Sequence, residues 1–167
     1  YEGAIPEHLA TRKAAGLFDV THMGRALITG KEATRFLEYL LPTRISWMSL
    51  NAGTYSVLCT EKGGIVDDLF LFRIAENEYY MVVNAANRHK DIEWMRRNSS
   101  GFDVEIRDIS DTTPMFAVQG PAAMRILQKM VDVDLGAVPR FGLVATSLSG
   151  QEVYATRSGY TGEDGME

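Results

Sequence analysis

Apolar and polar positions change period several times along the chain, and each change predicts an element. In KEATRFLEYLL, Phe36, Leu37, Leu40 and Leu41 recur at helical spacing, and Pro42 ends the run. Upstream, IPEHLATRKAAG is rich in helix formers and closes at Gly16, a common helix stop. Between these segments LFDV reads as a short strand, THMG as a turn, and RALITG alternates as a strand does. GTYSVLCT, the turn residues Glu61 to Gly64, and IVDDLFLFRI predict a hairpin, and NEYYMVVN a further strand. Three such strands in succession predict an antiparallel sheet. ANRHKDIEWMRRN predicts a helix with Asn84 or Asn87 as its cap, arginines near its end and Gly101 soon after. FDVEIRDI follows as a strand. PMFAVQ leads through Gly120 into a helix opened by Pro121 and carrying Met124, Ile126, Leu127 and Met130. GLVATSLSGQEVYATRS predicts a hairpin turning near Ser149 and Gly150, ahead of a glycine-rich tail. Strand pairs and single helices are mixed without regular βαβ alternation, so the fold class is α+β with mostly antiparallel sheets. No internal repeat or low-complexity linker marks a domain boundary.

Composition narrows the partners more than the fold. The 167 residues include 17 Lys and Arg against 22 Asp and Glu, a net charge of −5. Basic residues never cluster beyond two in a row, so no nucleic-acid footprint is expected. No apolar run approaches the ~18 residues that a membrane helix needs, and none opens the chain as a signal peptide would. The single cysteine, Cys59, cannot form an internal disulfide or a cysteine metal cluster, and it fits a reducing compartment. The chain begins at Tyr1 without a methionine and stops inside GYTGEDGME, which points to a piece of a longer protein.

Candidate chemistry centres on EKGGIVDDLFLF, where two adjacent aspartates enter an apolar strand. Alternation puts Asp67 on a face with Ile65, Leu69 and Leu71, and Asp68 on the other with Val66, Phe70 and Phe72. One or both carboxylates bonding nearby backbone or solvent is a plain structural reading. The functional one has at least one carboxylate lining a cleft, where burial and a cationic or N–H-donating ligand tune it in opposite directions. A metal pair is the poorest fit, because no Asp, Glu or His cluster lies nearby in sequence. GYTGEDG lacks the lysine and spacing of a phosphate loop, leaving a tight turn or a mobile loop that presents Tyr160 and acids to a ligand. His22 reads as a turn residue, Cys59 as packed, and no G-x-S-x-G elbow is present.

The order of motifs adds a resemblance. GLFDVTHMG, GGIVDDL, VVNAANRHKD, FAVQGPAA and SGYTGEDGME, in that order across nearly the whole chain, resemble the amino-terminal part of the glycine cleavage aminomethyltransferases, the T-proteins. The resemblance implies a three-domain protein around a folate channel. Residues 1–167 would form its amino-terminal folate-binding region, made of parts of two interleaved domains, and the carboxy-terminal β-domain would lie outside this stretch. It implies an enzyme that uses tetrahydrofolate. That enzyme takes the aminomethyl group from the lipoyl arm of H-protein, forms methylenetetrahydrofolate and releases ammonia in glycine breakdown. The compartment implied is the cytoplasm of a prokaryote or the mitochondrial matrix of a eukaryote. By motif, Asp67 matches the essential carboxylate facing the channel, with Asp68 left to structure. Glu167 matches a glutamate that reads the pterin edge, Tyr160 a tyrosine of the same pocket, and Met23, Val82 and Asn84 a packing methionine, an apolar wall and an amide. With one side of the channel missing, this stretch alone is expected to be inactive. Folate-dependent demethylases, and the folate domains of dimethylglycine- or sarcosine-oxidising enzymes, share the architecture and are the alternative. A non-enzymatic folate-binding assembly factor would carry a KGCYxGQE-type motif, and SGYTGEDGME has no cysteine.

Overall fold

The computed structural model describes residues 2–167. In chain order the elements are α1 (Ala4–Lys13), β1 (Gly16–Asp19), β2 (Gly24–Thr29), α2 (Ala33–Leu40), β3 (Gly53–Cys59), β4 (Ile65–Ala75), β5 (Glu78–Val83), α3 (Arg88–Asn98), β6 (Glu105–Asp108), β7 (Phe116–Gln119), α4 (Ala123–Leu127), β8 (Leu143–Leu148), β9 (Gln151–Thr156) and β10 (Gly165–Met166). Short 3-10 turns at Ile45–Trp47, Ala85–Asn87 and Leu135–Ala137 complete them. Every strand pairing is antiparallel, as the α+β reading requires. The chain divides into two compact units, residues 21–114 and residues 1–20 with 115–167.

The continuous unit is a five-stranded sheet in the order β3-β4-β5-β2-β6. The registers align Leu58, Leu69, Leu71, Tyr79, Met81, Val83, Ala26 and Ile28 on one face, and all are buried. Phe36, Leu37 and Leu40 of α2 and Ile92 and Met95 of α3 pack on that face and close a single core. Fully burying side chains of this size is worth roughly 1.5–3 kcal/mol each, so this layer supplies most of the unit's driving force. Among the described residues, none of the helix residues of that core lies on the opposite face. That face carries Tyr55, Val57, Asp68, Phe70, Phe72, Tyr80, Val82 and Leu27; it is rich in aromatics, and Phe72 and Val82 are buried on it. Gly53 stands opposite Phe72, and a Cβ there would lie 2.5 Å from that ring and 2.7 Å from Phe70, so the missing side chain makes room for the stacked pair.

The discontinuous unit pairs β1 with β7 and β7 with β10, beside the β8–β9 hairpin. Its smaller core gathers Leu135, Val138 and Met166 with Met124 and Leu127 of the α4 segment. Here local expectation and tertiary structure part. Gly16 is the first residue of β1, three residues past the end of α1 at Lys13, and its lack of a Cβ accommodates Thr11 and the Phe18 ring. The helix expected to reach Met130 ends at Leu127, and Ile126 and Met130 are exposed. At the hairpin turn Ser149 and Gly150 both adopt positive φ, 53° and 81°, the backbone of a tight two-residue turn.

Candidate functional site

Asp67 and Asp68 sit where β4 is irregular. Leu58 pairs with Asp67 but Cys59 pairs with Ile65, so Val66 is an extra, bulged residue. The bulge takes Ile65 out of the row expected for it, and Ile65 is exposed. The freed Val66 carbonyl accepts from Lys90 Nζ at 2.6 Å. The expected opposition of the two aspartates holds. Asp67 is 8% exposed, on the helix-covered face beside Leu69 and Leu71.

Asp68 is half-buried on the opposite face, between Val57 and Phe70 in the sheet. Its two oxygens are held separately. Tyr55 Oη donates to Oδ2 at 2.7 Å, and Asn84 Nδ2 donates to Oδ1 at 2.9 Å. Tyr55 comes from the neighbouring strand and Asn84 from the residue after β5, so three adjacent strands fix this carboxylate. The same Asn84 nitrogen reaches Asp67 Oδ1 at 3.2 Å. Asn84 and Asn87, expected as helix caps, make no side-chain capping bond. Asn84 turns toward Asp67 instead, and Asn87 also favours the ionised Asp67 carboxylate. Burial pushes the Asp67 carboxyl up, but hydrogen bonds from Asp91, Asn84 and Asn87 outweigh it and hold the group below its ordinary value. Val82 lies on the Asp68 face, 8% exposed, and Met23 is half-buried in the turn before β2.

In the other unit, Glu167 follows β10. Its backbone exchanges two hydrogen bonds with Thr156, N–H to O at 2.9 Å and O to N–H at 2.8 Å. Its Oε2 accepts from Ser158 Oγ, and burial raises its pKa against that bond. The GYTGEDG segment is anchored rather than loose. Gln119 is fully buried; its Nε2 donates to the Ser158 carbonyl at 2.9 Å and its Oε1 accepts from Thr161 at 2.9 Å. Gly159 is needed here, since a Cβ would meet Gln119 Oε1 at 2.0 Å. The acids of the loop are also engaged: Arg157 holds Asp164 through two bonds of 3.0 and 2.6 Å, and Arg12 pairs with Glu163 at 2.7 Å. Tyr160, by contrast, is fully exposed at the tip.

Reading the sequence missed three participants. Tyr55 was one residue in an alternating strand. Gln119 was taken only as the end of a strand. Asp91 could have been noticed, because it stands four residues before Met95 on the stripe that α3 buries. Among the described residues no group of three or more His, Cys, Asp or Glu could hold a metal ion. Nor is any helix among them long and apolar enough to cross a membrane.

Comparison with known proteins agrees with this architecture. Residues 1–167 match the GCVT N-terminal domain family. The aminomethyltransferase of Clostridium botulinum (strain Loch Maree / Type A3) is 45% identical over 168 residues, covering 100% of this chain and 45% of that protein. The crystal structure of glycine cleavage system aminomethyltransferase T from Bartonella henselae superposes with a TM-score of 0.90 at 35% identity, covering 98% of this chain and 44% of that one. The heterotetrameric sarcosine oxidase of Corynebacterium sp. U-96 shares the fold alone, with a TM-score of 0.66 at 17% identity over 93% of this chain and 78% of that one. The chain spans under half the length of the aminomethyltransferases it matches. With its whole length matched, this chain belongs to the GCVT N-terminal domain family.

Proposed function

We propose that this chain is the amino-terminal, folate-handling region of a tetrahydrofolate-dependent aminomethyltransferase. That enzyme would accept the aminomethyl group from a lipoylated H-protein and release ammonia in glycine breakdown. Within it, Asp68 is the carboxylate that faces the reacting nitrogen. The observation that carries the reading is the clamped Asp68 carboxylate on the aromatic-rich face of the sheet. Tetrahydrofolate, when bound, supplies the secondary amine that takes up the one-carbon unit.

The residues fit such a ligand by their chemistry. Phe70, Tyr80 and Val82 offer flat, apolar contact on the Asp68 face, of the kind that a conjugated ring system buries well. Asp68 offers a fixed anion where cationic character develops as an amine attacks and ammonia departs. Because Tyr55 and Asn84 already hold its oxygens, little reorganisation accompanies the reaction. Orientation and electrostatics are its main contribution. Asp67, buried behind the sheet, supports Asn84 rather than touching the ligand. In the other unit, Glu167 is assigned to the pterin edge, whose ring N–H and exocyclic amine form a donor pair that a carboxylate accepts in parallel. Met23 and, in the other unit, Tyr160 are each assigned as folate-packing residues.

Calorimetry on the intact protein tests the assignment, with tetrahydrofolate and ATP compared. Folate is expected to bind and ATP not to; tight ATP binding without folate binding overturns the reading. Glu167→Gln should weaken folate affinity by roughly 1.5–3 kcal/mol, about ten- to a hundredfold, with turnover at saturation little changed.

A further inference from the structure

Behind the sheet, three buried carboxylate oxygens lie without a conventional donor: Asp67 Oδ2 and both oxygens of Asp91. Asp91 is 0% exposed, on the α3 stripe that also carries Ile92 and Met95. Lys90 Nζ stands 3.8 Å from Asp91 Oδ1, outside hydrogen-bonding distance, and is committed to the Val66 carbonyl. Asp67 on β4 and Asp91 on α3 are both buried on the side of the sheet that packs the core, and each carboxyl perturbs the other. Two ionised carboxylates close together in an apolar layer repel strongly, and one shared proton removes the repulsion and gives Asp67 Oδ2 a donor.

We propose that Asp91 is a positioning residue. As the neutral acid it donates to Asp67 Oδ2, which leaves Asp67 Oδ1 as a fixed acceptor for Asn84 and so orients the amide that holds Asp68. The pair then carries one negative charge and one proton. The chain of bonds runs from a fully buried helix residue to the Asp68 face: Asp91 to Asp67, Asn84 Nδ2 to Asp67 Oδ1 at 3.2 Å, and Asn84 Nδ2 to Asp68 Oδ1 at 2.9 Å. Burial first, and the neighbouring Asp67 second, push the Asp91 carboxyl up to about 7. The charged groups around it are Lys90 on its own helix and Asp67 on β4, with Asp68 beyond Asn84; Asn84 and Asn87 are neutral. As pH rises through about 7 the proton leaves to solvent, the donor becomes a second anion, and Asn84 loses its fixed acceptor geometry. The consequence for catalysis rests on the role of Asp68 proposed above. The shared proton does not.

The test has two arms. In this chain, carbon-13 NMR of labelled aspartate carboxyls should show Asp91 titrating near pH 7, with the side-chain amide signals of Asn84 moving at the same midpoint. Asp91→Asn, which keeps a donor at every pH, should abolish that movement; should the variant fail to fold, the wild-type titration decides alone. Asp91 titrating near the ordinary ~4, or Asn84 signals indifferent to its ionisation, overturns the proposal. In the intact aminomethyltransferase, Asp91→Asn should remove an alkaline loss of kcat centred near pH 7 while KM for folate stays within about twofold. An unmoved pH profile despite NMR coupling overturns the positioning role. Failure of the Asp68 assignment reads out separately, as full turnover in Asp68→Asn.

Discussion

A single amide, that of Asn84, joins the two aspartates that adjoin each other in sequence but serve opposite faces of a sheet. Their unequal surroundings make unequal consequences. In the intact protein Asp68→Asn is expected to cost about a hundredfold or more in turnover, since it removes an anion already held where positive charge develops. Tyr55→Phe should cost about tenfold, one neutral-to-charged hydrogen bond. Asp67→Asn should act first on stability, with a smaller loss of turnover, because its carboxylate lies among buried neighbours. Steady-state kinetics with folded variants, checked by circular dichroism, separates these. Equal losses for the two aspartates would refute the division of roles. Alternation along β4 was legible in GGIVDDLFLF, and it correctly split the pair between faces. Which face the helices cover was not legible, because that depends on where α2 and α3 settle. The bulge at Val66 was equally hidden, since it arises from a mismatch with β3 that no local pattern in β4 displays.

Elements built from local pattern and those built from distant pairing differ in how they respond to change. Gly53→Val would drive a side chain into the Phe70 and Phe72 rings, and overpacking of this kind costs about 1–3 kcal/mol. A chemical denaturation midpoint should register it with an unchanged slope. Gln119→Leu should release the GYTGEDG segment, leaving the Ser158 carbonyl and Thr161 hydroxyl without their partner. Faster amide exchange over residues 158–164 than over β8 and β9 would report it. The long alternating strands β3, β4 and β5 and the amphipathic helix α2 were read correctly, because each carries its own periodicity over six or more residues. The two-residue β10 was missed, since it exists only through pairing with β7. The helix after Pro121 was drawn too long because its apolar residues suggested a stripe, yet only Met124 and Leu127 find a core to meet. Asn84 looks like a cap in sequence, and the carboxylates of β4 capture it in the fold.

At the scale of the molecule, the Asp67–Asp91 pair shapes the dependence of stability on pH. Asp91 has its folded pKa raised to about 7 from an ordinary 3.8, so its contribution is complete below about pH 4 and declines until pH reaches about 7. Asp67, lowered in the fold, acts on the other side: its contribution is lost as pH falls below the ordinary aspartate range. Unfolding free energy should therefore fall by up to a few kcal/mol between about pH 4 and 7 through Asp91, and Asp91→Asn should flatten that limb. Denaturation series across pH in both proteins measure the difference. The α+β class was legible from the mixture of patterns, whereas the interruption of one unit by another left no mark in composition. That interruption has a kinetic side. β1 and β7 must find each other across roughly a hundred intervening residues, a closure whose length-dependent cost alone is about 4 kcal/mol in an open chain. Arg25, almost wholly buried, changes the problem: its guanidinium donates to the Thr21 carbonyl at 2.7 Å and to the carbonyl of Thr113, the two ends of residues 21–114. A nascent chain that has folded this middle segment thus already holds its two flanks together, and the β1–β7 sheet can zip as though it closed a short loop. Arg25 thereby fastens the two ends of residues 21–114 to each other in the folded unit.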